Sequence, residues 1–248
     1  MTDQVTVTFA GSGDAFGSGG RFQACIHVRP PDGPPVLLDC GASSLVALKR
    51  LALDPSEIAA VVVSHLHGDH FGGLPFLILD GQFAKRTEPL TVVGPPGTGA
   101  RLMQAMEVMY PGSSEVRRAF DVDVLEVTPG SSVSAAGVHV AAWEVAHPSG
   151  APALAVRLDV AGRSVAYTGD TSWTDALVAA ADGVDLLIAE CYYLDKPIPH
   201  HLTHAALREH RDRLRAARTV VTHLSTDVLD RQDQVDHEVA HDGFTVRL

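Results

Sequence analysis

The stretch SHLHGDHFGG at 64–73 crowds three histidines and an aspartate into six positions, directly after the apolar run AAVVV. Neutral imidazoles and a carboxylate are the donors of zinc and similar borderline divalent cations. The His-x-His spacing lets His65 and His67 project to one side of an extended segment. Gly68 permits a sharp bend that turns Asp69 and His70 toward a neighbouring point. Four donors at two facing positions point to two metals. The same ending recurs on other apolar runs: WEVAH closes on His147, VAYTGD on Asp170 and TVVTH on His223. Strand ends are rigid mounts, and packed sheets bring such ends to one rim.

HLHGDH resembles the His-x-His-x-Asp-His motif of the metallo-β-lactamase superfamily, and the resemblance runs over nearly the whole chain because later ligands match in order. It implies an α/β fold: a four-layer αβ/βα sandwich of two mixed β-sheets flanked by helices, with a dinuclear site on its edge. His65, His67 and His147 would hold one ion. Asp69, His70 and His223 would hold the other, with Asp170 between them. Zinc is the default, with manganese or iron able to use similar ligands. Asp39 in LLDCG resembles a carboxylate position near the histidine loop, where it would orient an imidazole; it is equally readable as a strand-end residue opening the next helix.

Such a site implies hydrolysis. A metal lowers the pKa of water from 15.7 to about 7, and two ions roughly 3.5–4 Å apart can share a hydroxide while neutralising substrate charge. Asp69 is also a candidate to orient that hydroxide or take its proton. AECYYLDKPIPHHLTHAALREH at 189–210 looks like the ribonuclease Z, phosphodiesterase and arylsulfatase-like branch. There a histidine ahead of a helix, paired with a glutamate, protonates the leaving oxygen; His201 and Glu190 are the matches. An acid placed so contributes on the order of 10²–10⁴-fold. His200 and His204 stand close enough to substitute for His201. Among carboxylic ester, lactone, thioester or aryl sulfate substrates, Tyr192 or Tyr193 would instead steady an oxyanion. A metal-stabilised binding module without turnover is the reading from a different class.

The Gly-rich loop GSGDAFGSGGRFQ at 11–23 can bring backbone N–H groups to a phosphate, and Arg21 is either an anion contact or a surface residue. Related ribonuclease Z-like proteins often carry Arg-Asn where this chain has Arg21-Phe22. The long Gly/Pro-rich arm that grips transfer RNA in ribonuclease Z has no counterpart here. Compact nucleotide, phosphonate-derived or other small phosphodiesters are therefore the expected substrates, with transfer RNA disfavoured.

The elements that must carry these residues alternate. Strands are read at 5–11, 23–29, 35–40, 59–65, 90–94, 137–147, 153–160, 163–170, 184–190, 218–225 and 243–248, rich in β-branched residues and bounded by Gly and Pro. Helices are read at 42–52, 73–85, 98–109, 173–182 and 203–217. The reading is one domain over 1–248, built of two pseudo-equivalent halves, approximately 1–135 and 136–248.

The 248 residues are 46% hydrophobic and 20% charged, enough to bury a substantial core. A formal charge of −11 argues against broad capture of nucleic acid, though not against one anionic ligand beside bound cations. No run approaches the roughly 18 apolar residues of a membrane span, and MTDQVTVTFAG has neither the basic start nor the apolar core of a secretory leader. Three scattered cysteines read as reduced thiols, so a cytoplasmic protein is expected. The family resemblance suggests a homodimer.

Overall fold

In the computed structural model, residues 4–248 are described; the first three residues of the segment read as lacking a leader lie outside them. Seven strands form each of two sheets. The first contains β1 (Thr6–Gly11), β2 (Cys25–Arg29), β3 (Val36–Leu38), β4 (Ala60–Val62), β5 (Leu90–Gly94) and β6 (Val122–Glu126), side by side in chain order. The second contains β7 (Ser132–Ala135), β8 (Val138–Val145), β9 (Ala153–Val160), β10 (Arg163–Tyr167), β11 (Leu186–Glu190), β12 (Thr219–Thr222) and β13 (Glu238–Val239). The last strand, β14 (Thr245–Arg247), crosses back to the first sheet and pairs antiparallel with β1, Thr6 opposite Arg247.

Each sheet begins with antiparallel hairpins and ends with parallel strands. In the first, β3 to β6 run parallel; in the second, β10 to β13 do. Parallel strands need crossover helices, which cover the outer faces. These are α1 (Ser44–Arg50), α2 (Gly68–Phe71), α3 (Leu74–Phe83) and α4 (Thr98–Met109) on the first half, and α5 (Ala176–Ala180), α6 (His204–Glu209) and α7 (Thr226–Leu229) on the second. Three apolar clusters mark the layers. Val7, Phe9, Val62, Val156, Val165 and Ile188 fill the space between the sheets. Leu37, Leu48, Val61, Leu74 and Ile78 seal the first sheet under its helices. Ala155, Leu177, Leu187, Leu207 and Val221 do so for the second. The architecture is the four-layer α/β sandwich expected.

Several boundaries differ from the sequence reading. The edge strands β6, β7 and β13 were not anticipated, because they are short and half-exposed and carry Asp, Glu and Ser in place of a clean apolar alternation. β7 belongs to the second sheet although it precedes residue 136. The helix read at 203–217 stops at Glu209; His210 stacks on Trp173 at 3.8 Å, and a 3₁₀ turn follows at Arg211–Arg213. Residues 210–213 are His, Arg, Asp and Arg, so no apolar stripe continues the helix there, and Leu214 and Ala216 pack on the second sheet's core only beyond the turn. The helix read at 173–182 shrinks to α5, and 73–85 to α3. Gly81 stays inside α3, where a Cβ would lie 3.2 Å from the Phe120 ring, a space only a bare Cα fills comfortably. No helix among the described residues is long and apolar enough to cross a membrane.

Candidate metal centre

The predicted ligands all follow the C-terminal ends of strands. Asp39 lies just past β3, His65 and His67 past β4, His147 past β8, Asp170 past β10 and His223 past β12, while Glu190 is the last residue of β11. Asp69 and His70 sit in α2, which starts at Gly68, so the bend expected at that glycine is the first turn of a helix. Gly41 makes this turn possible: a Cβ there would stand 2.2 Å from the Asp69 carbonyl. Gly169, at φ +56° and backed by Ser64, lets the chain swing Asp170 inward.

These side chains converge in two groups. Donor atoms of His65, His67 and His147 lie within 4.8 Å of one another, as do those of Asp69, His70, Asp170 and His223. His67 Nδ1 is 3.0 Å from His147 Nε2. His70 Nε2 is 3.1 Å from Asp69 Oδ2 and 3.2 Å from Asp170 Oδ1, and His223 Nε2 is 3.2 Å from Asp69 Oδ2. Asp170 Oδ2 is 4.0 Å from His65 Nε2 and 3.4 Å from His223 Nε2, so this one carboxylate reaches both groups.

The surroundings set the imidazole tautomers. A carbonyl oxygen only accepts, so His147 donates Nδ1–H to His200 at 2.9 Å and keeps the Nε2 lone pair free. His70 donates Nδ1–H to Asp39 Oδ2 at 2.6 Å. Ser64 donates its backbone N–H to Asp39 Oδ1 and its hydroxyl to Oδ2, at 2.7 and 2.8 Å. With its proton spent, Ser64 Oγ accepts from His65 Nδ1–H at 3.0 Å. His65 Nε2 is left buried with no partner, as is Asp170 Oδ1, which sits near His70 outside hydrogen-bonding geometry. Orphaned buried polar atoms of this kind are costly. Here they are lone pairs aimed into one cluster of imidazoles and carboxylates, which is what divalent cations require. The donor set therefore fits the metals implied by the resemblance.

Electrostatics agree. Burial opposes charge on His223, yet Asp170 and Asp69 raise its pKa to about 9; His70 is raised well above the ordinary value against the same burial by Asp170, Asp69 and Asp39. Burial likewise opposes ionisation of Asp69, but His70 and His223 hold it far below the carboxylate range. The carboxylates thus demand positive charge, supplied by protons here and replaceable by cations.

A cavity of about 200 Å³ opens over this cluster, lined by His67, Asp69, His147, Asp170, Tyr192 and His201, with Phe16 at its edge. His201 enters it and hydrogen-bonds through Nδ1 to Glu190 Oε1, with Asp170 Oδ2 3.9 Å away. Glu190 is fully buried; its Oε2 accepts the N–H groups of Thr171 and Leu202 at 2.8 and 3.1 Å. His200 acts through its carbonyl and does not line the cavity, and His204 turns away to Asp236 at 2.6 Å. The Tyr192 ring stacks on His201 at 4.9 Å, whereas Tyr193 lies outside the cavity lining.

In the Gly-rich loop the N–H groups of Phe16 and Ser18 are taken by the buried Asp14 carboxylate, at 3.2 and 2.8 Å, while Ala15 lines the cavity. Arg21 points toward the far end of the chain, donating to the Ala240 carbonyl at 2.5 Å, with Asp242 opposing the loss of its charge by burial. Cys25 and Cys40 are buried in the core, Cys25 pushed up to about 12 by burial. Sequence reasoning missed Ser64 and the His200 carbonyl. Ser64 adjoins the histidine motif and was within reach; the carbonyl was not, since any residue could supply it.

The comparisons agree with this fold. A protein of Mycobacterium tuberculosis described as uncharacterized is 33% identical over 173 residues, covering 68% of this chain but 61% of that one, so the matched part falls short of the relative's full length. The structure of the metallo-β-lactamase-fold protein YhfI from Bacillus subtilis superposes with a TM-score of 0.78 over 100% of both chains, at 21% identity. Human tRNase Z, short form, superposes at 0.79 with 26% identity, over 97% of this chain and 98% of that one. Site and likeness agree on a metallo-β-lactamase fold whose strand ends carry a donor set suited to divalent metal. The family model described as Anti-Pycsar protein Apyc1 matches residues 5–244, and with the metallo-β-lactamase fold in place the chain belongs to that family.

Proposed function

We propose that the protein is a phosphodiesterase dependent on two divalent ions, with zinc the default and manganese or iron able to use similar ligands. His65, His67 and His147 would hold one ion, Asp69, His70 and His223 the other, and Asp170 would join them. When bound, such a pair supplies a solvent nucleophile near neutral pH and neutralises phosphoryl charge. Asp69, at the cavity floor, is also the candidate to orient that nucleophile.

The observation that carries the reading is the His201–Glu190 hydrogen bond beside the ligand cluster. Burial and the Asp170 charge push Glu190 well above the carboxylate range, and burial lowers His201. One proton shared across Nδ1 and Oε1 satisfies both directions. An imidazolium beside a carboxylate, and a neutral imidazole beside a carboxylic acid, hold the same number of protons. Both leave a hydrogen on His201 Nε2. The pair therefore acts as a donor to a departing alkoxide, the group whose basicity most needs one.

The small cavity and the net charge of −11 favour a compact anionic phosphodiester over transfer RNA. Tyr192, stacked on His201 in the same cavity, favours a second reading in which it steadies the oxyanion of a carboxylic ester, lactone, thioester or aryl sulfate. We further place the protein in the cytoplasm, on its three free thiols, and as a homodimer. The exposed apolar face near α3 and α4, with Phe83 82% and Val108 84% exposed, supports the dimer.

The test is hydrolysis of bis(p-nitrophenyl) phosphate, abolished by chelation and restored by metal, beside ester, lactone, thioester and sulfate substrates. Turnover of the carboxylic or sulfate esters alone would replace the phosphodiester reading with the second one. Full metal loading without turnover of any substrate would leave a binding module.

A further inference from the structure

Three metal-type donors gather at the start of α6, outside the centre described above. His204, the first residue of α6, is buried and brings its Nε2 to Asp236 Oδ1 at 2.6 Å. Asp236 and His237 lie just before β13. His237 Nδ1 stands 3.3 Å from the same Oδ1. One donor atom from each of the three lies within 4.8 Å of the other two. His204, Asp236 and His237 are all absent from the lining of the metal cavity.

The His204–Asp236 pair closes by itself, but His237 does not. Its side chain is nine-tenths buried, and Nδ1 has no hydrogen-bond partner among the described residues, the contact to Oδ1 falling outside hydrogen-bonding geometry. A buried nitrogen left so is costly unless something else meets it. Asp236 divides its two oxygens. Oδ2 takes Arg211 Nη2 at 2.9 Å, with Arg208 Nε 3.8 Å away, while Oδ1 faces the two imidazoles. Arg211 thereby orients the carboxylate, as outer partners do for metal ligands. The two guanidinium charges also weaken attraction for a cation. The Asp236 side chain is 42% exposed, so an ion can enter from solvent and complete its coordination with water.

We propose that His204, Asp236 and His237 form a second cation site, for one borderline divalent ion of the zinc class, separate from the candidate metal centre. Two imidazoles and a carboxylate suit such an ion. The lone pair it takes on His237 is the one the protein leaves unmet. His204 and Asp236 are 32 residues apart, one opening α6 and the other leading into the edge strand β13, so the ion ties that helix to that edge. His201, which lines the metal cavity, stands three residues ahead of His204, so the same tie steadies the turn that presents it. The site goes beyond the phosphodiesterase reading and does not depend on it.

Zinc ions titrated by calorimetry into the metal-loaded protein, and into H237Q and D236N prepared alike, test this. The unmutated protein should take up one further equivalent. Each variant, with the circular dichroism of the folded protein, should bind that equivalent about 10–100-fold more weakly, at least the loss that follows removal of an outer partner. The readout is a difference between proteins, so it is independent of how many ions the cluster from His65 to His223 holds. Zinc-edge anomalous diffraction from crystals of the unmutated protein gives a second readout that needs no variant to fold: a peak among the three side chains. No further equivalent, uptake unchanged in both variants, or zinc-soaked crystals without that peak would each overturn the site.

Discussion

Asp39 and His70, 31 residues apart in sequence, meet at 2.6 Å through Oδ2 and Nδ1. The same carboxylate holds Ser64, and through it His65, so one buried side chain sets the tautomer of a ligand in each metal group. Asp39 itself stands at φ +59°, a left-handed conformation that Asp and Asn tolerate better than most residues.

Asp39→Asn keeps that backbone conformation but removes the charge that anchors His70. Metal affinity, measured by competition with a chromogenic chelator, should fall about 10–100-fold. Circular dichroism should remain that of the folded protein. Unchanged affinity would mean that Asp39 only ends its strand.

Glu190→Gln retains an oxygen for the Thr171 and Leu202 N–H groups but deprives His201 of its proton partner. Turnover of phosphodiesters with poor leaving groups should slow by about 10²-fold or more, and activated aryl esters far less. His201→Ala should give the same pattern. Equal losses on both substrate types would remove the acid from the mechanism.

Chelation should lower the melting temperature at neutral pH, with recovery on adding back metal. Cations that bind only the folded chain stabilise it by mass action, about 4 kcal/mol at a thousandfold excess over Kd. A Tm indifferent to both treatments would speak against a metal held by this cluster.

His27, in β2, is buried with its Nε2 unpartnered; burial and then Arg29 lower its pKa from 6.5 to about 4. Between those values the unfolded chain binds the extra proton, so stability rises with pH across the window. It is lost as pH falls from about 6.5 toward 4, by about 3 kcal/mol in all. His27→Leu should flatten that part of the stability curve, read by urea denaturation at stepped pH. A curve as steep as the parent's would assign the acid sensitivity to other groups.

Sequence alone determined the ligand types and the strands that end in them. Runs such as AAVVV and RTVV announce buried strands through β-branched side chains, and HLHGDH is dense enough to read without a structure. His201 and Glu190 could be named but not chosen over His200 and His204, because neighbours in a loop differ only in where the backbone turns them. Tertiary structure separates the three by position: His200 gives its carbonyl to His147, His204 turns to Asp236, and His201 alone of the three lines the cavity. It also paired Arg21 with the Ala240 carbonyl and the Phe16 and Ser18 amides with Asp14. The physical reason is the same throughout. Composition and periodicity fix what a segment can bury, whereas the partner of each polar atom depends on which distant segments the two sheets bring within about 3 Å of it.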